Sequence, residues 1–133
     1  ENINTDILYL DPPYNERQYL PNYHILETIA KYDNPTIKGV TGIRDYENKK
    51  STFCNPKTAL RDLELIIQKS NFKHLILSYN SEGIMSQEDI MVLMSNYGKV
   101  AFEQFLYARF KSNNNGLSKT KKTVYEQVYI LTK

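Results

Sequence analysis

Residues 11–14, Asp-Pro-Pro-Tyr, place a carboxylate, two prolines and a phenol directly after the apolar run Ile7-Leu8-Tyr9-Leu10. Proline lacks an amide hydrogen and fixes its own φ, so two in succession must end a strand and leave its last side chains facing a cleft. In open α/β sheets that cleft, outside the carboxyl ends of the strands, is where ligands sit. Asp11 offers two acceptor oxygens, and the carbonyls of Pro12 and Pro13, with no ladder to join, offer more. Tyr14 adds a flat ring. The set suits a planar base carrying an exocyclic amine: acceptors take its N–H protons while the aromatic face stacks on the ring. On these four residues alone, a rigid turn or a helix-capping aspartate is the competing interpretation.

Delivering that turn requires a strand before it and helices to hold the strand. Ile3 to Leu10 reads as a short strand, its run of apolar residues predicting burial on both faces in a parallel sheet. Residues 15–21 read as irregular. Ile25, Leu26, Ile29 and Ala30 then recur at helical spacing until Asn34-Pro35 stops the run. Residues 36–54 show no period, and with Gly39, Gly42, Lys38, Arg44, Lys49 and Lys50 they read as a long basic loop, serving either DNA phosphate or target-sequence contact or only as a solvated excursion. Asn55-Pro56 announces a helix with Ala59, Leu60, Leu63, Ile66 and Ile67 as its buried stripe.

The run 74–80, His-Leu-Ile-Leu-Ser-Tyr-Asn, repeats the first strand's design of apolar centre and polar end, so both strands should bring polar and aromatic groups to one sheet edge. Ser86 with Asp89 predicts a capped helix, packed through Ile90, Met91, Leu93, Met94 and Tyr97 and ended by Gly98. Residues 99–110 and 123–132 read as two strands of an antiparallel pair. The segment between them, with Lys111, Lys119, Lys121 and Lys122, reads as a basic loop, serving DNA contact or solubility alike. The order is that of an α/β fold, half of a Rossmann-like sheet.

The 133 residues, 41% hydrophobic, are enough for one core and too few for two. A balance of 17 basic against 15 acidic residues, net +2, identifies no partner by itself. The single cysteine, Cys54, excludes an intrachain disulfide, suits a reducing cytoplasm, and has no metal-ligand spacing to any His or Cys. No apolar run reaches membrane-spanning length, and no signal peptide is visible. The chain starts at Glu1 and enters its first strand at once, which reads as a piece of something longer.

Asp11-Pro12-Pro13-Tyr14 resembles the Asp-Pro-Pro-Tyr signature of amino-group DNA methyltransferases. Its continuation, Asn15-Glu16-Arg17-Gln18-Tyr19 and Asn22-Tyr23-His24-Ile25-Leu26-Glu27-Thr28-Ile29, and the downstream block Leu77-Ser78-Tyr79-Asn80-Ser81-Glu82-Gly83, are similar to adenine methylases of the Dam-like group. The resemblance covers nearly the whole chain. It implies a Rossmann-like S-adenosylmethionine-dependent methyltransferase fold, here its C-terminal half with a terminal antiparallel hairpin. It also implies methyl transfer to adenine N6 in a base flipped out of double-stranded DNA, in a restriction-modification setting with a partner endonuclease. Carried over residue by residue, Asp11, Pro12, Pro13 and Tyr14 are the catalytic set, with Asp11 also touching the cofactor. Arg17, Tyr23, Lys38, Arg44, Asn80, Arg109, Lys111, Lys119, Lys121 and Lys122 are the candidate DNA contacts, and no metal is expected.

The family's Phe-x-Gly-x-Gly cofactor segment and its target-recognition region are missing, since Gly39, Gly42, Gly83, Gly98 and Gly116 have no such spacing. The 133 residues alone are therefore expected to bind S-adenosylmethionine weakly, to lack activity, and to self-associate through an exposed apolar edge. The alternatives are a catalytically idle nucleic-acid-binding remnant and an RNA or cytosine-N4 amino-methyltransferase.

Overall fold

In the computed structural model, which describes residues 3–108 and 123–133, the chain begins with strand β1 (Ile3–Leu10). The Pro12-Pro13 turn follows, and then a four-residue helix α1 (Tyr19–Asn22), where only irregular chain was expected. Pro21 is tolerated there because the first helical turn has no amide to bond. Helix α2 (His24–Lys31) ends at Tyr32, whose left-handed φ of 49° closes it without a glycine.

Residues 36–54 are not the structureless loop that their missing period suggested. Strands β2 (Ile37–Lys38) and β3 (Ile43–Arg44) pair antiparallel, and two 3₁₀ turns follow at Glu47–Lys49 and Thr52–Cys54. Two-residue strands are too short to print a period of two. Gly39 and Gly42, at φ 75° and 66°, make the reversal between them.

Helix α3 (Ala59–Lys69) starts later than the Asn55-Pro56 signal implied. The Asn55 side chain accepts from the Lys57 amide at 3.0 Å, building a turn that precedes the helix. Strand β4 (Ser70–Asn80) comes next, then α4 (Gln87–Ser95), whose Ser86 cap accepts from the Asp89 amide at 3.1 Å. Strands β5 (Lys99–Ala108) and β6 (Thr123–Thr132) complete the chain. Gly98 does not end α4, which stops at Ser95. A Cβ at residue 98 would strike the Thr132 carbonyl, so glycine is needed there for close approach to β6.

The four long strands form one mixed sheet in the order β1-β4-β6-β5. β1 and β4 are parallel, in register from Ile3–Ser70 to Leu10–Leu77, while β6 runs antiparallel to both β4 and β5 between them. Alternation puts Leu75, Leu77 and Tyr79 of β4 and Tyr129 and Leu131 of β6 on one face, where they pack with Ala59, Leu63 and Ile67 of α3 and Ile90, Leu93 and Met94 of α4. Burial of each large apolar side chain in that layer contributes about 1.5–3 kcal/mol.

The opposite face differs from the expectation for β1. Ile7 and Tyr9 are 57% and 60% exposed, so β1 is covered on one side only, through Leu8 and Leu10. The apolar stripe of α2 is just as open, with Ile25, Leu26 and Ile29 all above 60% exposure. No helix among the described residues is long and apolar enough to cross a membrane.

Candidate active site at the carboxyl ends of two parallel strands

Because β1 and β4 are parallel neighbours, their carboxyl ends lie at one sheet edge, as the repeated design of the two runs required. Asp11 and Tyr14 are exposed there, Tyr14 by 42%, while Pro12 and Pro13 are half-buried beneath them. Among the described residues no hydrogen-bond donor meets the Asp11 carboxylate or the carbonyls of Pro12 and Pro13. A cluster of acceptors thus stands open beside an accessible aromatic ring. It is a site for a donor-bearing ligand.

The turn is held from both sides. The Ile84 amide donates to the Tyr14 carbonyl at 2.9 Å, tying the first turn to the one after β4. That second turn has its own brace: Asn80 accepts from the Glu82 amide at 2.9 Å, and the Tyr79 hydroxyl accepts from the Met85 amide at 3.2 Å. Gly83 lies against the Tyr79 ring and the Asn80 carbonyl so closely that a Cβ would overlap both. The glycine in this block is therefore a packing requirement of the buried tyrosine.

On the other side, the Arg17 amide donates to the Asn15 side chain at 2.9 Å. The Gln18 amide group makes two bonds to the Ser51 backbone, donating to its carbonyl at 3.1 Å and accepting from its N–H at 2.7 Å. Burial pushes the Cys54 thiol up, so it stays protonated and donates to the Arg17 carbonyl at 3.3 Å. Cys54 is buried, a packing group as its isolation in the sequence implied. Nothing in the sequence pointed to Gln18 or Ser51, because their contact spans 33 residues of aperiodic chain.

Tyr19 and Tyr23 stack at 5.9 Å between ring centroids and are each about half exposed. With Leu20, Leu26, Glu27 and Ala30 they line an open cavity of about 320 Å³. The Tyr19 phenol is held above its ordinary value, first by burial and then by the negative Asp11, with smaller contributions from Tyr23, Tyr14 and Cys54. Those couplings put Tyr19 in the electrostatic neighbourhood of the Asp11 turn.

The candidate DNA contacts divide. Arg17 and Lys38 are exposed, and Tyr23 presents half its ring. Arg44 is committed elsewhere: its side chain is only 11% exposed and bonds Asp33 twice, at 2.7 and 3.2 Å, and Thr28 at 3.1 Å. It fastens the β2–β3 hairpin to the end of α2 and holds the Asp33 carboxyl below its ordinary value. Asn80 is likewise engaged, 7% exposed, donating to Glu126 at 3.0 Å while accepting from Glu82. Both were read from the sequence as DNA contacts, and in the fold both spend their polar groups internally. Arg109, Lys111, Lys119, Lys121 and Lys122 lie outside the described residues.

No group of three or more His, Cys, Asp or Glu among the described residues could hold a metal. For a methyl-donating sulfonium cofactor the donor set fits at one point only. The open Asp11 carboxylate can face a positive sulfur, but it lines neither the cavity at Tyr19 and Tyr23 nor the one at Asn4 and Lys73.

The chain is 48% identical over 98 residues to the type II methyltransferase M.FokI of Planomicrobium okeanokoites, covering 74% of this chain and 15% of that protein. It is 40% identical to modification methylase StsI of Streptococcus sanguinis, over 98% of this chain and 20% of the relative. To the type II methyltransferase M.NlaIII of Neisseria lactamica it is 41% identical, over 100% of this chain and 40% of the relative. The chain thus spans between 15% and 40% of the length of these relatives. No solved structure matches it significantly. Residues 1–93 match the D12 class N6 adenine-specific DNA methyltransferase family, and the chain, Asp-Pro-Pro-Tyr turn included, belongs to that family.

Proposed function

We propose that this chain is the C-terminal catalytic part of an S-adenosylmethionine-dependent DNA methyltransferase that modifies adenine N6 in double-stranded DNA. The supporting observation is the open acceptor set at the β1 edge: an exposed Asp11 carboxylate, and Pro12 and Pro13 carbonyls that no donor among the described residues meets, beside the accessible Tyr14 ring.

Adenine's amino nitrogen is a weak nucleophile because its lone pair is delocalised into the ring. Asp11 and the Pro12 carbonyl each accept one of its N–H protons, which draws the nitrogen towards tetrahedral geometry and turns the lone pair out of the plane. Positive charge grows on the nitrogen as the new N–C bond forms, and the carboxylate stabilises it. One amine proton then leaves, late in the step and finally to water, so Asp11 acts as an electrostatic acceptor more than as a strong base. Tyr14 stacks on the extruded base and holds it in line, since the amine cannot be reached inside a stacked duplex. S-adenosylmethionine, when bound, supplies the methyl group from a positively charged sulfur. Asp11 is the residue of this chain that would face it.

The sheet agrees with a partial Rossmann-like domain: β1 is an edge strand, its far face is uncovered, and the antiparallel β6 lies inside the sheet next to β4. The glycine-rich cofactor segment and the target-recognition region are then contributed by residues outside these 133. Titration calorimetry on the isolated chain should show weak or no cofactor binding, and tight binding would overturn this division. The uncovered face of β1 and α2 makes self-association of the isolated chain the expected behaviour, which a clean monomer in sedimentation at high concentration would contradict. Arg17, Tyr23 and Lys38 are the DNA contacts we retain within the described residues, with Arg109 and the four lysines of 111–122 as sequence-based additions. Named relatives are modification methylases, which makes a restriction endonuclease the partner system we propose, in the cytoplasm.

The deciding experiment incubates the full-length protein with S-adenosylmethionine and, separately, DNA or RNA, followed by nucleoside mass spectrometry. N6-methyladenine from DNA supports the proposal. Cytosine N4 methylation, RNA-only methylation or DNA binding without methylation would replace it.

A further inference from the structure

We infer that Gln18 is a positioning residue for the Asp11–Tyr14 turn, acting through its two-way bond to the Ser51 backbone. The inference deepens the methyltransferase proposal and rests on it. After Tyr14 the chain has no secondary structure until α1, so residues 15–18 have no ladder or helix to fix them. Long-range attachments do it instead. The Tyr14 carbonyl is taken by Ile84 N–H at 2.9 Å, the Arg17 carbonyl by the Cys54 thiol at 3.3 Å, and both polar ends of the Gln18 amide by Ser51 at 2.7 and 3.1 Å.

Of these, only Gln18 places a donor and an acceptor on one backbone unit, which fixes direction as well as distance. Its partner Ser51 opens the 3₁₀ turn Thr52–Cys54, which lies against α3 and is anchored to the core through Phe53, packed against the buried cluster. The clamp thus runs from the core, through Ser51 and Gln18, to the segment that carries Tyr14. A catalytic turn that must align an amine with a methyl donor loses rate steeply when displaced, about a hundredfold for roughly 1 Å. Glutamine is the side chain that fits: glutamate would replace the donor to the Ser51 carbonyl with a second acceptor, and alanine would remove both bonds.

The test is made in the full-length protein with Gln18→Ala, Gln18→Glu and the unmutated enzyme, reading kcat, KM for DNA and amide hydrogen exchange. Gln18→Ala should lower kcat by about tenfold or more while KM for DNA and the thermal midpoint stay near the unmutated values, with Gln18→Glu intermediate. Exchange of the Ser51 amide should quicken as its acceptor is lost. Exchange of the Ile84 amide, which reports where Tyr14 sits, should quicken with it. If kcat stays within about threefold, or Ser51 alone loosens while Ile84 keeps its protection, Gln18 is only a loop staple and the inference fails. Absence of methylation by the unmutated enzyme would instead remove the proposal beneath it.

Discussion

Replacing Gly83 by alanine tests whether the turn after β4 is set by the buried ring beneath it. A Cβ at residue 83 would overlap the Tyr79 ring, lying 2.7 Å from Cζ, and would stand 2.9 Å from the Asn80 carbonyl oxygen. Tyr79 cannot simply swing aside, because it is 2% exposed and packed in the same cluster as Leu77, Met85, Ile90 and Tyr129. Overpacking of this kind costs roughly 1–3 kcal/mol. If the ring shifts, the Met85 amide loses its bond to the Tyr79 hydroxyl, which adds about 1 kcal/mol. The expected loss is about 2–4 kcal/mol, or a fall of about 1–2 M in the urea midpoint for an m-value near 2 kcal/mol per molar. A double-mutant cycle isolates the ring's share: in a Tyr79→Leu background, Gly83→Ala should keep only the cost of the Asn80 carbonyl contact and fall by at least about 1 kcal/mol relative to the unmutated background. A single-mutant effect below about 0.5 kcal/mol would refute the steric account, and an equal effect in both backgrounds would refute the part assigned to the Tyr79 ring.

Two further outcomes follow from the charged and phenolic groups. Arg44→Ala should let the Asp33 carboxyl rise towards its ordinary value in an NMR titration and speed amide exchange through residues 37–44. Its folded value is lowered by Arg44, so the stabilisation it lends exists above the unfolded aspartate pKa and disappears as pH falls through the folded one. An unshifted Asp33 titration in the variant would show that the ion pair does not hold the hairpin. Tyr129, pushed by burial from 10.0 up to about 12, keeps its proton in the fold longer than in the unfolded chain. Stability should therefore be insensitive to this group below pH 10 and fall between pH 10 and 12, with Tyr129→Phe flattening that fall. Equal alkaline profiles for the two proteins would contradict it.

The strand-turn-strand frame was legible because its determinants are local. Pro12-Pro13 cannot continue a ladder, Leu63 and Ile67 repeat at helical spacing, and Ser86 with Asp89 caps α4 as written. The sheet order was not legible. Alternation in 123–132 says that β6 has two faces, but not that β4 and β5 flank it. The uncovered side of β1 was missed for a related reason. A run of Ile7, Leu8, Tyr9 and Leu10 records that both faces are apolar, whereas burial depends on what packs against them.

The site shows the same division. Asp11 and Tyr14 could be placed from their turn alone, while Asn80 and Arg44 looked available for DNA because polar side chains carry no mark of the partners they will find. Asn80 found Glu126 and Arg44 found Asp33, each across a stretch of chain that only folding closes. The hairpin within 36–54 had one usable signal, the pair of glycines, and the Gln18–Ser51 contact had none.

In the proposed reaction the Asp11 carboxylate draws an adenine amine into reactive geometry and stabilises its developing charge. Asp11→Asn in the full-length protein keeps the size and one acceptor oxygen but removes the charge. The rate at which N6-methyladenine forms in DNA should fall by about a hundredfold or more, while DNA affinity stays within about threefold. Methylation within threefold of the unmutated protein would contradict it.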